Sequence, residues 1–409
     1  MHILFLSDNF PPEVNAPASR TLEHCREWVK AGHKVTVITC APNFPKGKLF
    51  DGYKNKLWQS EEMSGIRIIR VWTYITSNEG FAKRILDYIS FMIAATIASL
   101  FVRRVDIIVG TSPQFFTACA AWAVSILKWR PWIFELRDIW PESIRVVNAM
   151  ENSRLLNMME KLELFLYKRA NAIISVTHSF KRNLIERGID GSKIHVITNG
   201  VDLERFTPMK KDISLVKKLD LEGKFVAGYV GTHGLAHGLD TLINAAQILA
   251  NDPQAKDFRI LMLGDGANRH SLKNMAFELG LTNIIFIDSV PKEAVAHYWS
   301  LLDVSIIHLI KSKLFTSVIP SKLFECMAMG IPVLHGVKGE SADIVKSNEI
   351  GLTFEPQDAT ALVAGLKLLK QDETLKKRLG KNGILAARKF DRLALAKDML
   401  IILQTVADQ

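Results

Sequence analysis

The dominant rhythm of the chain is a short apolar run rich in β-branched residues, then a turn, then a longer stretch whose apolar positions follow helical spacing. In the first half the runs fall at residues 3–6, 35–39, 66–72, 106–110, 132–136, 172–176 and 194–198. In the second half they fall at 225–230, 258–263, 284–287, 304–309, 331–334 and 352–354. Strands this apolar are buried on both faces, as in parallel sheets covered by helices. The alternating βα order predicts an α/β protein with doubly wound sheets.

So many strands exceed one ordinary sheet. The polar stretch 202–223, with Pro208 and Lys210-Lys211-Asp212, reads as a linker, after which the pattern restarts. Two α/β domains of similar size follow, and the amphipathic pattern of 373–406 reads as a helical tail. In open α/β sheets ligands sit beyond the carboxyl ends of the strands, so two such domains can trap a ligand between them.

Two stretches need a membrane check. Residues 88–102 carry no charge but are 15 long, short of the roughly 20 needed to span. Residues 107–127 are also uncharged, but Gly110-Thr111-Ser112-Pro113 divides them into a strand and a helix. Ser112 is expected as the N-cap and Pro113 at the first helical position. The apolar run 2–6 is too short for a signal peptide and meets Asp8 at once. A soluble or peripheral protein is expected.

Composition adds little: 48% hydrophobic and 23% charged residues suffice for large cores. Charge adds more. The net charge is +10, and residues 1–200 hold 26 Lys/Arg against 18 Asp/Glu, whereas the rest hold 26 against 24. The basic half suits an anionic partner such as a membrane surface or a diphosphate. Zinc-finger spacing, a basic-helix arm and aromatic–basic alternation are missing, which argues against nucleic acid. Cys25, Cys40, Cys119 and Cys326 lie far apart in apolar stretches without metal-ligand spacing. They read as core residues in a reducing compartment.

Four segments carry candidate chemistry. Gly231-Thr232-His233-Gly234-Leu235-Ala236-His237-Gly238 lies between a strand and a helix. Its glycines let backbone N–H groups approach an anion at a helix start, so it is either a diphosphate cradle or a plain glycine-rich turn. In Pro320-Ser321-Lys322-Leu323-Phe324-Glu325, Pro320 and Ser321 open a helix that Gly330 and Pro332 close. Glu325 there can accept hydrogen bonds from vicinal ribose hydroxyls, or merely complement the helix dipole, and Lys322 can meet phosphate. Arg137 and Asp138 follow a buried strand, with Trp140-Pro141 after them. Asp138 can orient or deprotonate an acceptor hydroxyl beside Arg137, or the two form a structural ion pair. The loop 7–20 is long for a strand-to-helix connection, and Arg20 at its end can meet an anion.

The segment 320–333 resembles the hallmark of the retaining family-four glycosyltransferases of the GT-B fold. So do Gly32-His33-Lys34-Val35-Thr36-Val37-Ile38-Thr39, the stretch 170–176, and Lys193-Ile194-His195-Val196-Ile197-Thr198-Asn199-Gly200-Val201-Asp202. The resemblance spans the chain in order. It implies two Rossmann-like domains facing a cleft: residues 1–202 for the acceptor, 203–385 for the nucleotide sugar, and a helix at 386–409 crossing back to the first. It also implies retention at the anomeric carbon, no metal and no cofactor. Nucleotide-sugar contacts are expected from Gly231, Thr232, His233, Gly234, His237, Gly264, Asp265, Ser317, Val318, Ile319, Ser321, Lys322, Leu323 and Glu325. Acceptor contacts are expected from Asn15 and Arg20, and catalytic roles from Asp138 and Arg137.

Departures accompany the likeness. Ser317 stands where the family usually has a carboxylate. Thr232 and His237 stand where it commonly has an Arg and a Lys, so the phosphate role moves to Lys322 or the histidines. Arg137-Asp138 replaces a common His-acidic pair. These details resemble bacterial surface-polysaccharide enzymes, in particular the N-acetyl-L-fucosamine transferases of O-antigen assembly. The implied donor is a UDP-sugar and the implied acceptor a polyprenyl-diphosphate-linked saccharide, at the cytoplasmic face of the inner membrane. The apolar stretch 81–104, flanked by Lys83-Arg84 and Arg103-Arg104 and accompanied by Trp129, Arg130 and Trp132, fits peripheral binding there. A UDP-sugar 2-epimerase-like isomerase and a non-catalytic nucleotide-sugar-binding protein are the competing readings.

Overall fold

The structure, a computed structural model, describes residues 1–44, 47–76, 81–139 and 153–409. The chain forms two compact units: Met1–Thr198 with Arg392–Gln409, and Asn199–Asp391.

Unit 1 is built on strands β1 (His2–Leu6), β2 (Lys34–Cys40), β3 (Trp58–Met63), β4 (Ile66–Val71), β5 (Ile107–Thr111), β6 (Trp132–Leu136), β7 (Ala172–Ser175) and β8 (Ile194–Val196). Among the described residues their order is β3-β4-β2-β1-β5-β6-β7-β8. All neighbours are parallel except β3 and β4, which run antiparallel. The central strands are buried on both faces because helices cover both sides of the sheet. One face packs Ile3, Phe5, Val37 and Val109 against Trp28 and Met399. The other packs Leu4, Leu6, Ile108 and Phe134 against Phe91, Ala121 and Tyr167. Helix α1 (Ala16–Lys30) receives the C-terminal helix Arg392–Ala407: the Trp28 indole donates to the Ala396 carbonyl at 2.8 Å, and Arg392 pairs with Glu23 at 2.5 Å.

Unit 2 holds β9 (Phe225–Val230), β10 (Phe258–Leu263), β11 (Ile284–Ile287), β12 (Val304–His308), β13 (Val333–Gly336) and β14 (Gly351–Thr353). The described order is β11-β10-β9-β12-β13-β14, all parallel. The sheet order turns back on itself at β9 and β12, where loops leave the sheet in different directions and ligand sites form in such folds.

Three expectations need correction. The polar stretch 202–223 is not a free linker. Phe206 and Leu221 are buried in the unit 2 core, Lys211 pairs with Asp303 at 2.8 Å, and Asp212 caps a helix at Ile213–Lys218. Ser112 does not cap the following helix. Helix α3 (Phe115–Lys128) starts later with Gln114 at its N-cap, and the Ser112 hydroxyl instead accepts from the backbone of Arg137. Trp132 is no surface anchor. It is buried on β6, its indole donating to the Arg169 carbonyl at 3.1 Å.

Candidate functional site

The glycine-rich loop leaves the carboxyl end of β9, and its neighbour, Gly264 to Gly266, leaves β10. The two loops touch backbone to backbone. Gly231 N donates to Leu263 O at 2.9 Å and His233 N to Asp265 O at 2.8 Å. A Cβ on Gly264, whose φ is +142°, would lie 1.9 Å from the Gly231 carbonyl oxygen. With the loop so fixed, the N–H groups of Thr232 and Gly234 donate to no acceptor among the described residues. Thr232 is exposed, so its N–H is available to an anion.

Helix Lys322–Ala328 follows the turn after β12. Its first residue turns inward. Lys322 Nζ is shielded from solvent and makes no hydrogen bond. It sits 3.5 Å from the centroid of the Tyr229 ring and would be 2.8 Å from a Cβ on Gly231. Burial pushes this amine down to about 7, with Glu325 acting in the opposite direction. The ring face supplies a modest cation–π attraction but no acceptor for the three ammonium protons. A buried amine with unused donors thus faces a glycine turn whose backbone N–H groups are also without acceptors, an arrangement whose chemistry suits an anion. Three residues on, the Glu325 carboxylate accepts from the Trp299 indole N–H at 3.2 Å. Trp299 is fully buried, so this contact fixes the carboxylate's direction.

Arg269, at the start of helix Arg269–Glu278, was not singled out in the sequence because it belongs to no motif. It pairs with exposed Asp288 at 2.5 Å, while its Nε is buried without a partner. Burial first, then the charges of Arg269 and Lys322, lower His233 to about 4. Both ring nitrogens of His233 are buried without hydrogen bonds and the residue is wholly inaccessible. His237 is lowered to about 4, mainly by burial, and its Nδ1 lies 3.3 Å from Gly234 O. Both histidines are neutral at pH 7, so the local positive charge comes from Arg269 and from the protonated fraction of Lys322.

The remaining expected contacts divide. Gly231, Thr232, Gly234, Gly264, Asp265, Ser321, Lys322 and Glu325 lie on the loops and helix just described. Ser317 closes a 3-10 turn, Leu314–Ser317, and its hydroxyl donates to Leu314 O at 2.8 Å. Val318 is half-buried, whereas the side chains of Ile319 and Leu323 are committed to the unit 2 core.

In unit 1, Ser112 holds the loop after β6: its hydroxyl accepts from Arg137 N at 2.7 Å and Asp138 N at 3.2 Å. Asp138 is half-buried, whereas the Arg137 guanidinium donates to the Pro17 carbonyl at 3.2 Å. Burial lowers Arg137 to about 10, and Glu135 partly offsets it. Trp140, Pro141 and Glu142 lie outside the described residues. Arg20 is buried, with Nε on Glu135 at 2.8 Å, Nη1 on Thr198 O at 2.6 Å and Nη2 on Ile197 O at 3.0 Å. Its guanidinium is thus occupied in holding the end of the unit 1 chain. Asn15 caps α1, accepting from Ala18 N at 2.8 Å and donating to Asn9 at 2.6 Å. Among the described residues no cluster of His, Cys, Asp and Glu is arranged to hold a metal, and no helix is long and apolar enough to cross a membrane.

Residues 18–205 match the family described as Glycosyltransferase Family 4, and residues 211–385 match Glycosyl transferases group 1. Over 381 residues the chain is 24% identical to WcaI of Escherichia coli (strain K12), a glycosyl transferase by name, placed in colanic acid biosynthesis; the match covers 90% of this chain and 91% of that protein. It is 23% identical to WbjE of Pseudomonas aeruginosa, also a glycosyltransferase by name, over 64% of this chain and 65% of that one. Among solved structures it is similar to sucrose-phosphate synthase from Thermosynechococcus elongatus, with TM-score 0.79, 19% identity, and 99% and 98% of the two chains covered. It is also similar to Anabaena HepE in complex with UDP and glucose, with TM-score 0.74, 18% identity, and 98% and 99% covered. These structures establish the GT-B fold, two Rossmann-like domains with parallel sheets.

Proposed function

We propose that this chain, a GT-B glycosyltransferase carrying the two family domains, moves a sugar from a UDP-sugar to a polyprenyl-diphosphate-linked saccharide, with retention at the anomeric carbon. The setting is O-antigen or capsule synthesis, and the donor sugar we favour is N-acetyl-L-fucosamine. Unit 2 takes the donor. Lys322 and the N–H groups of the glycine turn hold the diphosphate, and Glu325, directed by Trp299, accepts from the ribose hydroxyls. Val318, half-buried and apolar, suits a methyl in place of a hydroxymethyl on the sugar. Unit 1 takes the acceptor, with Asp138 on its hydroxyl and Arg137 holding the loop that carries Asp138.

The single observation behind the nucleotide site is the buried, unpartnered Lys322 ammonium against Gly231. The name of WcaI supports a polysaccharide setting, and HepE was captured with UDP and with UDP-glucose. Peripheral association with anionic lipid rests on unit 1. Helix α2 (Phe81–Leu100) exposes Ile93, Ile97 and Leu100, and Phe101, Ile126, Leu127 and Trp129 are exposed beyond it. Lys128 Nζ donates to Val102 O at 2.8 Å, which joins the ends of α2 and α3, and Arg103, Arg104 and Arg130 are exposed beside them. Exposed apolar side chains and exposed cations near the joined ends of α2 and α3 suit a negatively charged bilayer surface.

Thermal unfolding with UDP, GDP and ADP tests the nucleotide site. Ligand at 100 times its dissociation constant adds about 2.7 kcal/mol to the state that binds it. A stabilisation by UDP that exceeds GDP and ADP and is lost in Glu325→Ala is expected. No stabilisation by any nucleotide would leave a non-catalytic protein as the better reading.

A further inference from the structure

A cavity of about 300 Å³ opens in unit 2 beside the end of the glycine-rich segment, where Ile310 N donates to Ala236 O at 3.0 Å. Its walls are the loop after β12 (Ile310, Lys311, Lys313, Phe315), the loop after β13 (Val337, Lys338) and Pro356 after β14. It therefore lies beyond the carboxyl ends of three parallel strands, the side of such a sheet where ligands bind. The walls are tied down. Gln357, at a strained φ of +66°, donates from its backbone to His308 Nε2 at 2.8 Å, and its side chain accepts from Lys311 N at 2.9 Å. A Cβ on Gly339 would lie 1.9 Å from the Thr316 carbonyl oxygen, so the loop after β13 rests directly on the turn that ends at Ser317.

The cavity has an apolar floor of Ile310, Phe315, Val337 and Pro356 and a rim of three lysines. One carboxylate serves two of them: Glu355 pairs with Lys338 at 2.7 Å and Lys311 at 3.1 Å. Lys313 pairs with no described carboxylate. Three ammonium groups against one acid leave the rim positive, over a floor that suits the C–H face of a sugar ring. The volume is at the lower end of small-ligand sites and holds about one sugar.

We propose that this cavity is a second ligand site, which takes an acidic sugar with its carboxylate or phosphate on Lys313 and Lys338 and its ring over Phe315 and Pro356. The cavity adjoins the glycine-rich segment but its lining includes none of Gly231, Lys322 and Glu325, so an acid bound there leaves those groups free. Its place against the turn ending at Ser317 makes it a means of selecting saccharides that carry an acidic group.

Calorimetric titration of the full chain with glucuronate, glucose 6-phosphate and glucose tests this, at about 0.05 and 0.5 M salt. Glucuronate, glucose 6-phosphate or both should bind saturably and more weakly at high salt, glucose should bind at least about tenfold more weakly, and UDP should not displace the acid. Which acid binds identifies carboxylate or phosphate as the group read. The double variant K313A/K338A should weaken acid binding by about tenfold or more while keeping the UDP stabilisation, which also reports that unit 2 is folded. No binding of either acid, equal binding of glucose, displacement by UDP, or unchanged affinity in the double variant would each overturn the proposal. Loss of UDP stabilisation in the wild-type chain bears on the glycosyltransferase site alone.

Discussion

At the residue scale the site depends on two groups whose role comes from neighbours distant in sequence. Lys322 was legible as a phosphate candidate from its place in the segment 320–333. That its amine is buried over Tyr229 with no acceptor was not, because the contact joins the start of a helix to strand β9, far apart in sequence. Trp299 gave no signal either: it reads as one more core aromatic, and only its indole N–H on Glu325 sets it apart. Trp299→Phe keeps a buried ring and removes the donor. A hydrogen bond to a charged group contributes about 1.5 kcal/mol or more, so UDP affinity should fall by about tenfold. Unchanged affinity in a stably folded variant would mean that the contact orients nothing the nucleotide uses.

At the element scale the βα rhythm was legible wherever strands are apolar on both faces, because full burial leaves a continuous hydrophobic run. Strand β3 was missed for the same reason. Its residues WQSEEM alternate exposed and half-buried positions at the sheet edge, and a polar edge strand looks like a loop. The glycine contacts are a second feature invisible in sequence, since glycines alone do not say what approaches them. Gly264→Ala meets both a forbidden φ and the Gly231 carbonyl, whereas Gly223→Ala, at φ +66°, meets nothing within 4 Å. Urea unfolding should show a loss of at least about 2 kcal/mol for Gly264→Ala and about 1 kcal/mol for Gly223→Ala. Equal losses would contradict the loop-on-loop contact.

At the scale of the whole molecule, the excess of positive charge in residues 1–200 acquires a location in unit 1, where exposed arginines accompany an exposed apolar cluster. Each cation near an anionic bilayer contributes about 1 kcal/mol, an effect that salt screens. Co-sedimentation with phosphatidylglycerol vesicles should be strong at low salt, fall at high salt, and weaken in the variant F101S/W129S. Absence of binding at low salt would remove the membrane from the account. The sequence showed this region as a long apolar helix between basic pairs. It could not show which face stays exposed, because Phe91 and Ala95, buried in the sheet's helical layer, alternate with exposed Ile93 and Ile97.

The central claim is that Lys322 supplies the positive charge for a nucleotide diphosphate. Its amine, held near 7 in the free protein, is mostly neutral at pH 8. Because the folded value lies below the ordinary 10.5, the unfolded chain binds more protons between those limits, and the amine's cost to stability shrinks as pH rises from about 7 toward 10.5. A bound diphosphate favours the charged form, so UDP binding should draw a proton from solvent and weaken as pH rises above 7. The decisive measurement is titration calorimetry of UDP at pH 8 in two buffers of different ionisation enthalpy. The wild-type chain should take up close to one proton per UDP, and Lys322→Met should bind more weakly and take up none. Binding without proton uptake, or the same uptake and affinity in Lys322→Met, would contradict the assignment of the diphosphate to Lys322.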